Sequence, residues 1–163
     1  FDWRFHHIGG GPDLEDLKNL AETLQISARV TWQGSAPQEQ VLQAYRNADL
    51  FVLASRIAED GDRDGLPNVL MEAQSQGVAV LATRTSGIPE LIDDGATGML
   101  VEAGDSGALA RGLETLIRQP ALRQRLGEAG YRRIQAQFDM EKGIDLLLDR
   151  FAPERRLSQK AGI

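Results

Sequence analysis

The sequence predicts an α/β protein built on a doubly wound parallel sheet. Short apolar runs alternate along the chain with stretches whose apolar residues recur at helical spacing. The apolar runs are continuous rather than alternating, which is typical of parallel strands covered on both faces. Because such sheets bind ligands beyond the carboxyl ends of their strands, the loops after Ile8, Trp32, Leu53 and Thr83 are the candidate positions for a site.

The strands and helices can be predicted in order along the chain. The predicted strands are Trp3–Ile8, Arg29–Trp32, Asp49–Leu53, Ala79–Thr83 and Gly98–Val101. The predicted helices are Leu14–Leu24, Pro37–Asn47, Leu66–Gln76, Ile88–Ile92 and a long stretch from Ser106 to about Phe151. Pro120 divides that last stretch, and Gly77 suits the end of the third helix because glycine readily adopts the left-handed conformation found there. We expect one domain over residues 1–151 and a tail over residues 152–163.

Composition excludes several classes of protein. A chain of 163 residues, 42% apolar and 26% charged, is large enough and apolar enough to bury a core, which excludes disorder. A net charge of −6 argues against a general nucleic-acid binder. The arginines of the C-terminal third could contact an anionic surface, but they are more simply a solvated helix face. The absence of cysteine excludes disulfides, thiolate metal sites and cysteine catalysis. No apolar run approaches the roughly 20 residues of a membrane span.

Two glycine-containing loops offer weak signals for binding. The run Gly9-Gly10-Gly11 follows a strand and precedes a helix, where backbone N–H groups can approach a phosphate, or it is simply a tight turn. Leu14 occupies the last glycine position of the dinucleotide pattern. The run from Asp60 to Gly65 resembles the start of a calcium loop, but Met71 stands where the closing carboxylate is required, so we do not expect calcium there.

The segment from Asp64 to Gly77 is more informative. Asp64, Asn68 and Glu72 are four residues apart and therefore line one face of the predicted helix or its cap. Gly65 permits close backbone approach, and the N–H groups of Asn68 and Val69 offer an anion site at the helix N-terminus. The pattern alone also allows Asp64 to be only an N-cap and Glu72 to be merely solvated.

Several motifs together resemble one enzyme family. They are HHIGGGPDLEDLKNLA, VTWQGSAPQEQV, ADLFVLAS, DGLPNVLMEAQSQGVAVLAT and SGIPELIDDGATGMLV, in family order and spacing up to about Phe138. They resemble the C-terminal, donor-binding domain of GT-B-type retaining glycosyltransferases of family 4, also called group 1. The resemblance implies a Rossmann-like domain whose first strand and helix lie upstream of Phe1. It also implies a separate N-terminal domain that binds the acceptor.

The resemblance also assigns roles to residues. Glu72 matches the second Glu of the family's Glu-x7-Glu pair, which binds the ribose hydroxyls of the donor. Asp64 stands where the first Glu is usual, a residue that contacts the donor sugar and supports charge at the anomeric centre, and it is one methylene shorter. The residues implied to lie against the rest of the donor are Gly65, Leu66, Asn68 and Val69 near the diphosphate, Gly10 beside the donor, and Gln33 and Gly34 near the base.

The function implied by the resemblance is transfer of a hexose with retention. The donor would be a UDP-, GDP- or related nucleotide-sugar, and the acceptor a glycan or lipid-linked sugar in exopolysaccharide, capsule or lipopolysaccharide synthesis. No cofactor, metal or nucleic-acid partner is expected. The protein is expected in the cytoplasm or at the inner face of the membrane. Residues 1–163 alone are expected to be inactive, because the acceptor domain and a basic loop lie outside them. The alternative is a non-catalytic nucleotide-binding or interaction module derived from the same fold.

The resemblance further predicts the strand order 3-2-1-4-5-6, in which strand 1 lies upstream of Phe1. The five predicted strands of this chain would then be strands 2 to 6. Direct pairing between Phe5–Ile8 and Phe51–Leu53 would contradict this order, because strand 1 should lie between them, in a slot about 10 Å wide.

Overall fold

The computed structural model describes residues 1–57 and 65–138. The β-strands are β1 (Phe5–Ile8), β2 (Val30–Gly34), β3 (Leu50–Leu53), β4 (Ala79–Thr83) and β5 (Met99–Val101). The helices are α1 (Leu14–Thr23), α2 (Gln38–Asn47), α3 (Asn68–Ser75), α4 (Ile88–Leu91), α5 (Ser106–Arg118) and α6 (Pro120–Gln137), with a short 3₁₀ turn at Ser27–Arg29. This alternation confirms the predicted α/β class.

The chain divides into two compact units, Phe1–Ala44 and Tyr45–Ile163, with the boundary inside α2. In the first unit, β1 and β2 pair in parallel, with Phe5 opposite Val30. In the second unit, β3, β4 and β5 form a parallel sheet with β4 in the centre. Among the described residues β1 does not pair with β3, and the pairings found are those of the predicted order. The predicted slot itself stays a prediction.

The core of the second unit is centred on β4. All five of its residues are buried, so the strand does not alternate between polar and apolar positions, as predicted for a central parallel strand. Leu81 packs with Leu116 of α5 and Leu126 of α6, and each of the three is fully buried. Full burial of a leucine contributes about 1.5–3 kcal/mol, so this cluster fixes α5 and α6 against the sheet.

Helix α3 begins later and ends earlier than predicted. Leu66 and Pro67 were expected to be helical, but Pro67 has an extended backbone with ψ near 122°, so the helix starts at Asn68. At the other end, Gly77 adopts a φ of +75° and donates its N–H to the carbonyl of Gln74, while Val78 donates to Ala73. This pair of bonds is the Schellman motif, and it confirms that Gly77 ends the helix.

The other boundaries agree with the prediction or differ from it by one or two residues. Strand β1 begins at Phe5 rather than Trp3, and Arg29 belongs to the 3₁₀ turn that precedes β2. Pro120 divides the C-terminal helical stretch as predicted and occupies the first turn of α6. The predicted helix beyond Phe138 and the tail lie outside the described residues.

Candidate functional site

The segment that leads into α3 presents backbone N–H groups at a helix N-terminus. Leu70 donates its N–H to the carbonyl of Pro67, so Asn68 and Val69 come before the first hydrogen-bonded position. Within the described part of the chain, neither of these two N–H groups is recorded with an acceptor. The Asn68 side chain is exposed and the Val69 side chain is half-buried. The anion site at this helix N-terminus stays a prediction.

A hydrogen bond from a second loop holds this segment in place. The N–H of Gly87, which follows the end of β4, donates to the carbonyl oxygen of Gly65 at 2.8 Å. A Cβ atom at Gly87 would lie 3.0 Å from that same oxygen and 3.4 Å from the Cβ of Leu66. The approach is therefore too close for any residue but glycine unless the backbone moves. Ser86, directly before Gly87, has a left-handed backbone with a φ of +48°.

Sequence reasoning missed the role of Gly87, although it named the loop after Thr83 as a candidate position. The signal was a glycine directly before a short helix at the carboxyl end of the central strand. The pattern shows only that the predicted helix Ile88–Ile92 begins directly after this glycine, and nothing local indicates that Gly65 lies opposite it. The bond joins residues that are far apart in the sequence.

Glu72 is half-buried on α3 and receives a hydrogen bond from a tyrosine on α2. The phenol of Tyr45 donates to the Glu72 carboxylate. The side chain of Tyr45 is 6% exposed, and its ring packs edge-on against Phe51 of β3 with the ring centroids 5.3 Å apart. Burial first, and then the negative charge of Glu72 and this hydrogen bond, raise the pKa of Tyr45 to about 12. Glu72 therefore has a partner within the protein, and its predicted role as a ribose ligand stays a prediction.

Asp64, the predicted catalytic carboxylate, lies outside the described residues, and so do residues 60–63 of the segment that resembles a calcium loop. The four-residue spacing can be followed from Asn68 to Glu72, which lie one turn apart on α3. The carbonyl of Glu72 also accepts a 2.7 Å hydrogen bond from the Ser75 hydroxyl.

The structure brings the two candidate loops of the Phe1–Ala44 unit together. The N–H of Gly9 donates to the carbonyl of Gly34 at 2.8 Å, so the loop after β1 lies beside the end of β2. Gly10 is exposed, and a Cβ atom there would have no neighbour within 4 Å. The exposed amide of Gln33 donates to Gln40 of α2 at 3.1 Å. Gly10, Gln33 and Gly34 are therefore neighbours at the carboxyl ends of β1 and β2, as the register predicts.

Comparison with known proteins identifies the family. A sequence model described as glycosyl transferases group 1 matches residues 2–133. The chain belongs to this family.

Two relatives and one solved structure illustrate the match. The putative colanic acid biosynthesis glycosyltransferase WcaL of Salmonella typhimurium is 39% identical over 108 residues, which is 66% of this chain and 27% of that protein. The lipopolysaccharide core biosynthesis glycosyltransferase LpsE of Rhizobium meliloti is 32% identical over 145 residues, 89% of this chain and 40% of that protein. The crystal structure of Anabaena HepE in complex with UDP-glucose gives a TM-score of 0.79 at 21% identity over 92% of this chain and 41% of that one.

The comparisons fix the fold and the family as predicted. The likeness to HepE, at 21% identity, supports the Rossmann-like architecture inferred from the sequence. The chain spans only about a quarter to two-fifths of the length of the two curated relatives. The activity of a whole protein that contains this chain is therefore a proposal.

Two arginines of α6 hold neighbouring parts of the fold in place. Arg123 donates to the carbonyls of Leu116 and Ile117 at 2.6 and 2.9 Å and so caps the end of α5. Arg133 donates to the carbonyl of Glu90 at 2.9 Å. These contacts give two of the arginines a structural role in place of the simple solvated face that was predicted.

Residues 1–57 and 65–138 contain neither a metal-binding cluster nor a membrane-spanning helix. In that part of the chain no three His, Asp or Glu side chains are grouped so that they could hold a metal ion. No helix there is both long and apolar enough to cross a bilayer.

Proposed function

We propose that this chain is the donor-binding half of a GT-B glycosyltransferase of family 4 that transfers a hexose with retention. The donor is a UDP-, GDP- or related nucleotide-sugar. The acceptor is a glycan or lipid-linked sugar in exopolysaccharide, capsule or lipopolysaccharide synthesis, at the cytoplasmic side of the membrane. The observation that carries the proposal is the pairing of a helix N-terminus with a fixed carboxylate, Glu72, one turn further along α3. Family membership and the named roles of the relatives support it.

The diphosphate is assigned to the N-terminus of α3. The N–H groups of Asn68 and Val69 point away from the helix body and carry the positive end of its dipole, which favours an anion. As the glycosidic bond breaks, negative charge grows on the β-phosphate. N–H groups already held in position stabilise that charge without reorganisation. Gly65 and Leu66 complete this backbone cradle, and the bond from Gly87 keeps it in register.

The ribose is assigned to Glu72. A carboxylate can accept hydrogen bonds from both neighbouring hydroxyl groups of a ribose. The position one turn after Asn68 places this carboxylate beyond the diphosphate cradle along α3. Asp64 is proposed to face the donor sugar and to support charge at the anomeric centre. Gly10, Gln33 and Gly34 are proposed to contact the donor and its base, and no metal ion is required.

The test is the affinity of the full-length protein for UDP and GDP by titration calorimetry. Substituting Glu72→Ala should weaken binding by about 10- to 150-fold, because a charged hydrogen bond contributes about 1.5–3 kcal/mol. Glu128→Ala on α6, which removes an exposed carboxylate bonded to Gln124, is the matched control and should leave affinity unchanged. Unchanged affinity for both nucleotides in Glu72→Ala, with an unaltered melting temperature, would remove Glu72 from the site.

The alternative, a non-catalytic module, is favoured by one observation: Asp64 stands where the family usually has Glu. Turnover separates the two. A full-length protein that binds a nucleotide-sugar tightly but neither hydrolyses nor transfers it would be such a module. Transfer with retention that is lost in Asp64→Ala and kept in Asp64→Glu would establish the enzyme.

A further inference from the structure

Tyr45 is held rigidly inside the Tyr45–Ile163 unit. Its side chain is 6% exposed, and its ring meets the Phe51 ring at an interplanar angle of 87° with the centroids 5.3 Å apart. An edge-on aromatic pair of this kind adds to the burial of both rings. The ring is therefore held by its packing, and its hydroxyl group lies within hydrogen-bonding reach of Glu72 on α3.

The hydroxyl group is a hydrogen-bond donor to Glu72. It donates a hydrogen bond to the carboxylate, and burial beside that negative charge raises the pKa of Tyr45 to about 12. The phenol therefore stays protonated throughout the physiological range and cannot become a second anion that repels the carboxylate. A glutamate side chain has rotamer freedom worth up to about 2 kcal/mol, and a bond from a rigid donor removes part of that freedom before a ligand arrives.

We propose that Tyr45 is a positioning residue that orients the Glu72 carboxylate for the ribose hydroxyls of the donor. The inference rests on the proposed role of Glu72 as the ribose ligand. A carboxylate has about four acceptor sites, so one bond from a phenol is compatible with two further bonds from a sugar diol. Tyr45 itself does not contact the donor. It acts only through Glu72, so its effect depends on both the carboxylate and the diol.

The experiment compares UDP with 2′,3′-dideoxy-UDP by titration calorimetry on the full-length protein, using GDP and its dideoxy form if GDP binds more tightly. Tyr45→Phe keeps the ring and removes only the hydroxyl group. We expect UDP to bind about 5- to 10-fold more weakly, the size of one lost hydrogen bond, while dideoxy-UDP changes less than about twofold. Tyr131→Phe is the control, since Tyr131 is 39% exposed on α6 and its hydroxyl accepts a hydrogen bond from Gln135. It should leave both affinities unchanged.

Glu72→Ala and the double variant Tyr45→Phe/Glu72→Ala complete a thermodynamic cycle. Positioning requires that Tyr45→Phe have no further effect once Glu72 is removed. If Glu72→Ala weakens UDP but Tyr45→Phe does not, or if Tyr45→Phe weakens UDP and dideoxy-UDP equally, the positioning role is overturned while the ribose site stands. If Glu72→Ala itself leaves the ratio of the two affinities unchanged, the ribose site fails and the positioning role fails with it. That ratio does not depend on the folded fraction, so it decides the matter even if a variant is less stable.

Discussion

Substituting Gly87→Ala tests whether the loop after β4 holds the diphosphate cradle in position. The backbone of Gly87 has a φ of −80° and a ψ of −2°, which alanine adopts without strain. Alanine alone would stabilise the folded state by about 0.4–1 kcal/mol, because it has less freedom when unfolded. The new Cβ would lie 3.0 Å from the Gly65 oxygen and 3.4 Å from both the Gly65 carbon and the Leu66 Cβ. Overpacking of this kind costs about 1–3 kcal/mol, so the contact outweighs the gain.

The expected result is a modest loss of stability with a selective loss of diphosphate binding. The net change is a destabilisation of about 0.5–2 kcal/mol, taken as the difference between those two effects. Relief of the contact requires the Gly65–Leu66 backbone to move by a few tenths of an ångström. The donors beside the β-phosphate would then be misplaced. We expect UDP affinity to fall about 5- to 10-fold and UMP affinity to change less than about twofold.

The assay is calorimetry with UDP and UMP, combined with urea unfolding of each variant. Gly107→Ala in the first turn of α5 is the matched control, because its Cβ would meet only the ends of the Arg111 and Asp105 side chains at 3.2 Å. That variant crowds the Asp105 side chain that caps α5 and not the diphosphate cradle, so its nucleotide affinities should be unchanged. Equal losses for UDP and UMP, or no loss for either, would refute the reasoning that Gly87 acts on the diphosphate cradle.

Three further results are expected. Gly127→Ala should destabilise the protein by about 1–3 kcal/mol or more in urea titrations. The added Cβ would overlap the backbone oxygen of Gly77 and force α6 away from the end of α3. A loss of stability no larger than that of Gly107→Ala would contradict this. The pKa of Tyr45 rises on folding to about 12, so its contribution to stability is complete below pH 10 and is lost as the pH rises through 12. The free energy of unfolding should therefore fall by about 2–3 kcal/mol more over that range in the parent than in Tyr45→Phe, and parallel pH profiles would disprove the contact. Finally, residues 1–163 alone should transfer no sugar from UDP-glucose or GDP-mannose by mass spectrometry, and clear transfer would show that they need no further domain.

The sequence by itself determined the elements and their order. Continuous apolar runs predicted the parallel strands, and β4 at Ala79–Thr83 was placed residue for residue. Gly77 and Pro120 predicted the end of α3 and the break between α5 and α6, because their conformational preferences act locally. Helix periodicity placed the start of α3 less accurately than its end. Pro67 is compatible with a first helical turn, and only the structure shows it extended.

The spacing of Asn68 and Glu72 likewise marked the candidate site, since positions four apart share a helix face whatever lies around them. What surrounds these residues was decided by tertiary structure. The phenol that meets Glu72 comes from α2, and the N–H that holds Gly65 comes from the loop after β4. Nothing in a local pattern reports either partner, because Tyr45 and Gly87 lie far along the chain from the residues that they contact. The contacts of Tyr45 with Glu72 and of Gly87 with Gly65 join residues that are distant in the sequence, so only tertiary packing decides the surroundings of a carboxylate that the sequence could only name.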